Sequence, residues 1–227
     1  MANINELWYA ALKTRIVYMP HKLLETFGES SVQYRLLTQL DDSRLRLRTG
    51  VVKAARPRIV TPHYLRTQAL ENFGEEAQNY FDDLLSRKEG AVILEYGLAF
   101  QKEDHSEEDI GGNINEVAEQ LAKDAQDNLT ETRGVLIGSE DYWEIALVFF
   151  LKLLVAQSVP YNTREMNNRG LFSLRNGVPM AICNEIEQDF AAAVTKEQAD
   201  RLGAKLRDYG IFDEYENRFF ELYGRFC

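Results

Sequence analysis

Apolar residues recur along this chain with two different periods. In residues 1–138, short apolar or alternating runs come between stretches that repeat every three to four residues, as they do where strands and helices follow one another. From residue 139 onward the longer repeat dominates, which predicts helices to the end of the chain. The predicted strands lie in a hairpin over 32–52 and near 58–60, 91–100 and 134–138.

The hairpin is the clearest strand signal. Its two runs, "VQYRLLTQL" and "RLRLRTGVV", flank "DDS", which is typical of a tight turn. Successive side chains of a strand point to opposite faces. We therefore expect Leu45 and Leu47 to face a core, while Arg44, Arg46 and Arg48 share the other face.

The run "AVILEYGLAF" has the pattern of an interior strand, and "QKEDHSEEDIGG", residues 101–112, comes directly after it. This second segment is rich in carboxylates and ends in two glycines, which is typical of a mobile, solvated loop. Asn113 and Glu116 have the spacing of a capping box, so an amphipathic helix should begin there.

The most apolar segment is "YWEIALVFFLKLLVAQSV", residues 142–159. Its length is near the minimum for a membrane span, but Glu144 and Lys152 lie inside it, and hydrocarbon penalises each charge by roughly 3 kcal/mol. We expect a buried central helix over 140–158, with the small sheet packed on it, and no membrane. The whole pattern predicts an α+β fold in one globular domain, 1–227, with a mixed region over 1–138 and a helical region over 139–227.

The composition is that of an ordinary soluble globular protein, with 45% hydrophobic and 27% charged residues. Two cysteines, Cys183 and Cys227, cannot build a disulfide framework, which favours a reducing compartment. The N-terminus has neither the apolar length nor the basic start of a signal peptide. We therefore expect a cytoplasmic location.

Charge is distributed unevenly along the chain. The net charge is -10, yet the segment 44–58 carries six of the 26 basic residues and no acid. Guanidinium groups suit the capture of phosphate or carboxylate, so this segment predicts an anion site for a small molecule or an acidic protein partner. The alternative is that these arginines pair with the chain's own carboxylates. A nucleic-acid partner is disfavoured, because an acidic chain repels a polyanion. The predicted anion-binding residues are Arg44, Arg46, Arg48, Arg56 and Arg58.

Three residues are weak candidates for catalysis: His63 beside the arginines, Glu95 within the strand at 91–100, and Asp141 in the first turn of the central helix. A buried Glu95 must be paired or have a raised pKa, and Arg46 or Arg48 could be its partner. The rival function is an enzyme acting on a phosphorylated or carboxylated small molecule, with His63 as acid or base. No pattern of metal ligands or cofactor motif is evident, so we expect neither.

Aromatic residues recur every three or four positions along 212–226, in "FDEYENRFFELYGRF". Such a stripe is typical of a helix that docks on its own core. If the stripe is exposed instead, it is the best surface for a homodimer.

Overall fold

The structure is a computed structural model, and it describes residues 4–61, 63–64, 93–127 and 132–226. The fold is α+β, as predicted, and the C-terminal region is helical. In chain order the elements are α1 (Ile4–Lys13), β1 (Arg15–Tyr18), β2 (Ser30–Gln39), β3 (Arg44–Ala54), β4 (Arg58–Val60), β5 (Ile93–Glu95), β6 (Leu98–Gly111), α2 (Ile114–Gln126), β7 (Thr132–Gly138), α3 (Trp143–Asn168), β8 (Leu174–Arg175), β9 (Val178–Pro179), α4 (Met180–Ala192), α5 (Lys196–Asp208) and α6 (Phe212–Tyr223).

These elements form two compact units that are interleaved along the chain. The first unit comprises Met1–Pro57 and Tyr96–Glu165, and the second comprises Arg58–Glu95 and Met166–Cys227. The chain therefore passes between units within α3, and not where the sequence changes from mixed to helical patterning. The single domain over 1–227 stays a prediction.

A five-stranded mixed sheet organises the first unit, in the order β1-β7-β2-β3-β6. The predicted hairpin forms its centre: β2 and β3 are antiparallel, and β7 lies parallel to β2 on the other side. Asp41 fixes the hairpin turn, because its carboxylate accepts hydrogen bonds from the backbone N–H groups of Ser43 (3.0 Å) and Arg44 (2.9 Å). Among the described strands, β6 is the edge next to β3.

Helix α3 packs on one face of this sheet, as the sequence predicts, but it spans Trp143–Asn168 instead of 140–158 and is buried only on its inner side, with Val148 61% exposed on the outer side. Its buried side chains, Leu147 and Phe150 among them, pack on Val32, Leu36 and Leu136 of the strands. Gly134 of β7 allows this close approach, since a methyl group there would overlap the Phe150 ring. By length and composition α3 could also cross a membrane. Here its inner side completes the sheet's core.

Helix α2 covers part of the opposite face. Leu37 of β2 and Leu45 and Leu47 of β3 pack with Ala118 of the helix. The alternation of arginine and leucine in β3 thus gives the predicted result, with the leucines facing α2 and the arginines facing the α3 side. Asn113 caps α2 as predicted, because its side chain accepts hydrogen bonds from the first turn.

Two predictions about residues 91–112 are wrong. The run at 91–100 is not one strand: Tyr96 and Gly97 separate β5 from β6, and β5 pairs with β4 in the second unit. The carboxylate-rich segment 101–112 is not a loop, because β6 continues through it to Gly111. Two of its acids are compatible with a strand because they lie opposite arginines of β3, Asp109 opposite Arg46 and Glu107 opposite Arg48.

The second unit joins the β4–β5 pair to helices α4, α5 and α6. Thr195 and Gln198 form a capping box at the start of α5. The prediction of helices alone from residue 139 onward needs one correction, because β8 and β9, of two residues each, form a hairpin. Asn176 (φ 53°) and Gly177 (φ 83°) make its turn, and their positive φ values suit a type I′ turn.

Candidate functional site

The arginines of β3 face acidic residues of β6 directly across the sheet. In the antiparallel register Arg46 lies opposite Asp109, and Arg48 lies opposite Glu107. Glu140, between β7 and α3, reaches the same two arginines. We call Arg46, Arg48, Glu107, Asp109 and Glu140 the arginine ladder.

Short ion pairs connect every member of the arginine ladder. Arg46 donates to Asp109 (2.9 Å) and to Glu140 (2.8 Å). Arg48 donates to Glu107 (2.9 Å) and, through both terminal nitrogens, to Glu140 (2.9 and 2.8 Å). This two-nitrogen contact with one carboxylate is the strong form of an arginine ion pair.

Arg48 is the buried member, with a side chain only 4% exposed. Its guanidinium lies over the Trp143 ring, 5.1 Å from the centroid, and also donates to the Thr38 hydroxyl at 3.0 Å. The hydrogen bond from Arg48 lowers the pKa of Glu140 to about 2; partial burial opposes this effect and the Thr38 hydroxyl adds to it. Glu140 is therefore ionised across the physiological range, which keeps Arg48 neutralised.

His105 and Tyr34 extend the arginine ladder along the same face. His105 Nε2 lies 3.1 Å from Glu107, and Nδ1 lies 2.9 Å from the Tyr34 hydroxyl. Burial raises the pKa of Tyr34 to about 12, so this hydroxyl keeps its proton. Because the Glu107 carboxylate can only accept, Nε2 of His105 donates in this contact. The His105 ring also stacks on Trp143, at 5.5 Å between centroids.

The structure does not bring the five predicted anion-binding arginines together. Arg44 pairs with Asp41 inside the hairpin turn, at 2.6 Å. Arg56 is exposed between β3 and β4 and has no ion pair with any residue in the described ranges. Arg58 belongs to the second unit, where it contacts Glu95, Glu185 and the Tyr209 hydroxyl. Thus the alternative interpretation, pairing with the chain's own acids, describes Arg44, Arg46, Arg48 and Arg58.

The three catalytic candidates are also dispersed. His63 lies in the second unit with Nδ1 2.9 Å from the Asp208 carbonyl, at the end of α5. Glu95 lies 3.7 Å from Arg58 and is about one-third exposed, so pairing with Arg46 or Arg48 is wrong. The reason is that β5 pairs with β4 and leaves the sheet of the first unit. Asp141 is exposed in the first unit.

The aromatic stripe at 212–226 packs largely within the second unit. Phe219 is buried and contacts the rings of Phe212 and Tyr223. Phe220 is the exception, with 57% of its surface exposed. A homodimer through this helix stays a prediction.

Sequence reasoning missed an apolar groove in the first unit. It lies between β6 and α3, has a volume of about 420 Å³, and is lined by Val52, Leu98, Phe100, Trp143, Glu144, Leu147, Val148 and Leu151. Phe100 is 42% exposed and Val148 is 61% exposed, and both line the same groove. The signal was available in α3, whose apolar residues surround the helix although the sheet covers only one side.

Tyr96 and the arginine ladder hold the two ends of β6 beside this groove. The Tyr96 hydroxyl donates to Asn162 of α3 at 2.8 Å, just before β6 begins. The carboxylates of the ladder fix the far half of the strand to β3. The strand at the edge of the groove is therefore held by side-chain contacts at both ends.

In the described ranges, no three His, Cys, Asp or Glu side chains are grouped as a metal site requires. No protein-family model, no curated protein and no solved structure matches the chain.

Proposed function

We propose that this protein is a binding protein that accepts an extended segment of a partner protein as an added strand along β6. The observation that carries the proposal is the apolar groove beside β6, which is an edge strand among the described residues. The backbone groups on the outer side of an edge strand can pair with another chain, and the groove beside them can receive alternate side chains.

The position of the edge limits where a partner strand can pair. Between Thr49 and Val51 the register with β6 shifts, so the strand bulges between Gln101 and Ser106. Bulges and charged residues protect sheet edges from pairing, and both occur in the far half of β6. The half from Leu98 to Gln101 has neither a bulge nor an acid, and it borders the groove. Strand addition is therefore expected at 98–101.

Charge favours a basic partner. Glu144 lines the groove, and the chain as a whole carries a net charge of -10. The arginines that would attract an acidic partner at this face are neutralised within the arginine ladder. We therefore expect a segment with apolar residues at every second position and lysine or arginine at its ends.

Selection from a random peptide display library tests this proposal, with the Phe100→Asp variant used for counter-selection. The selected peptides are expected to have apolar residues at every second position and basic residues at their ends. They should also shift the fluorescence emission of Trp143, measured in the Trp8→Phe variant so that Trp143 is the protein's one tryptophan. Affinity should fall about tenfold or more in Phe100→Asp. The matched control is Phe220→Asp, an exposed phenylalanine of the second unit, which should bind within about twofold of wild type.

Three outcomes would overturn the proposal. The first is that no peptide survives counter-selection, and the second is that survivors carry apolar residues at helical spacing or acidic ends. The third is that a proline placed at the centre of a selected peptide leaves its binding unchanged, since an added strand needs that N–H group. Sedimentation with phosphatidylcholine vesicles that Phe100→Asp abolishes would instead assign the groove to a lipid surface.

A further inference from the structure

We infer that the partner strand runs antiparallel to β6 and pairs with the backbone of Leu98 and Phe100, an inference that rests on the function proposed above. The partner residues that bond to these two positions are also the ones whose side chains enter the groove. The ligand class is therefore a segment with two apolar residues that are separated by one residue and that keep their backbone N–H groups. Proline at either of those two positions is excluded.

Hydrogen bonding to β3 determines which backbone groups of β6 face outward. The Ala55 N–H group donates to the Gly97 carbonyl at 2.7 Å, just before β6 begins. Bonded and non-bonded pairs alternate along an antiparallel ladder. The register therefore makes Ala99 a bonded partner of β3, and it makes Leu98 and Phe100 members of non-bonded pairs. The N–H and C=O groups of these last two residues point away from β3, and in the described part of the chain no other strand pairs with β6.

The side chains of the same two residues line the groove. Leu98 and Phe100 lie in its wall with Val52 of β3, and both are exposed. Ala99 points to the opposite face of the sheet, because side chains alternate along a strand. In an antiparallel pair, residues directly opposite each other share a face. A partner residue opposite Leu98 or Phe100 therefore exchanges backbone bonds with it and also places its own side chain in the groove.

The short length of the free half favours the antiparallel direction. Two antiparallel partner residues satisfy all the outward groups of Leu98 and Phe100, and this pairing stays within 98–101. Parallel bonds are slanted, so a parallel strand would bond through residues level with Gly97, Ala99 and Gln101. Its pairing would begin before β6 and reach the position where the register with β3 shifts. Antiparallel pairs are also slightly more stable per residue.

Single N-methylation of a peptide selected on the groove tests the direction. Alanine scanning of the peptide first identifies the two apolar residues that enter the groove. Methylation of either N–H group should raise the Kd about tenfold, because each bonds to β6. Methylation of the residue between them is the matched control and should change the Kd by about twofold or less. Fluorescence anisotropy of the labelled peptide measures both, and the reverse pattern would show parallel addition and overturn the inference.

Proline substitutions in β6 test the outward groups without any peptide. Leu98→Pro removes an N–H group that is not bonded to β3, so this variant should unfold at nearly the same urea concentration as Leu98→Ala. Ala99→Pro removes a bond of the sheet and should unfold at a clearly lower urea concentration. Greater destabilisation by Leu98→Pro than by Ala99→Pro would mean that the outward groups are wrongly assigned.

Binding to the Leu98 variants distinguishes failure of this inference from failure of the proposed function. A selected peptide should bind Leu98→Pro about fivefold or more weakly than Leu98→Ala, since only the proline variant lacks the N–H group. Peptides that require Phe100 but bind the two Leu98 variants equally would overturn the inference and leave the proposed function in place. If no peptide survives selection, both are overturned.

Discussion

Replacing Glu140 with alanine is expected to lower the free energy of unfolding by about 3 kcal/mol. Arg48 is almost fully buried, and Glu140 accepts from both of its terminal nitrogens. Removing the carboxylate leaves a buried guanidinium with Glu107 as its remaining acid partner. Urea unfolding followed by circular dichroism at pH 7 measures the loss.

The matched control is Asp109→Ala, which removes an acid from the exposed end of the same ladder. Arg46 is about one-third exposed and keeps Glu140 as a partner, so this change should cost only about 0 to 1 kcal/mol. Equal losses of unfolding free energy in Glu140→Ala and Asp109→Ala would mean that burial of Arg48 does not determine how much the arginine ladder stabilises the fold.

Acidification should remove much of the stability that the arginine ladder supplies. The Arg48 hydrogen bond lowers the pKa of Glu140 from the ordinary 4.5 to about 2 in the folded protein. The hydrogen bond from Arg46 lowers the pKa of Asp109 in the same direction. Unfolded carboxyl groups bind protons more readily, so this contribution is complete above about pH 4.5 and is lost as the pH falls toward 2.

Glu140→Gln separates this effect from general acid unfolding. The variant lacks the titrating group, so its free energy of unfolding should fall less steeply than that of wild type between pH 4.5 and about 2. Urea titrations at several pH values in this window give both slopes. Parallel slopes would contradict the assignment of the pKa shift to a stabilising contact of the folded state.

The local alternation of polar and apolar residues predicts the two strands of the β2–β3 hairpin. It does not predict contacts that depend on pairing between segments distant in sequence. The alternation in "RLRLR" correctly places leucines on one face and arginines on the other. The partners of those arginines are distant in sequence: Glu107 lies 59 residues from Arg48, and Glu140 lies 92 residues away. Composition alone makes 101–112 resemble a loop, because a strand of this charge is stable only beside its arginines.

The sequence pattern also failed to predict one strand break and one short hairpin. The apolar run at 91–100 continues smoothly in composition, yet Gly97 separates a strand of the second unit from a strand of the first. A glycine inside a strand pattern was the available signal. The dipeptide Asn176–Gly177 likewise signalled the β8–β9 hairpin, which is too short to show alternation.

The residues discussed for the candidate sites lie on sheet faces that the sequence pattern alone does not identify. Arg35 lies outside the basic segment 44–58, and its position in β2 places it on the α2 side of the sheet. Only the register with β7 shows that Arg133, 100 residues from Gln33, lies beside that glutamine. The groove depends on how much of the sheet α3 covers, and no local sequence pattern indicates this. It thus arises from helix packing as well as from strand order.

The arginine ladder also matters for the proposed binding function. A strand that is already ordered loses little conformational entropy when a partner pairs with it. The half of β6 at 98–101 is extended because it pairs with residues 51–54 of β3, and Asp109 and Glu107 join the far half to the same strand. Variants that weaken the ladder are therefore expected to weaken peptide binding as well, without touching the groove.

The most direct measurement is a double-mutant cycle of Arg48→Met and Glu140→Ala, followed by urea unfolding at pH 7. If Arg48 is neutralised by its own chain, the double variant should be more stable than Glu140→Ala alone, with a coupling energy of about 2 kcal/mol. Additive losses in the two single variants would contradict this account, because each side chain would then contribute to stability without the other.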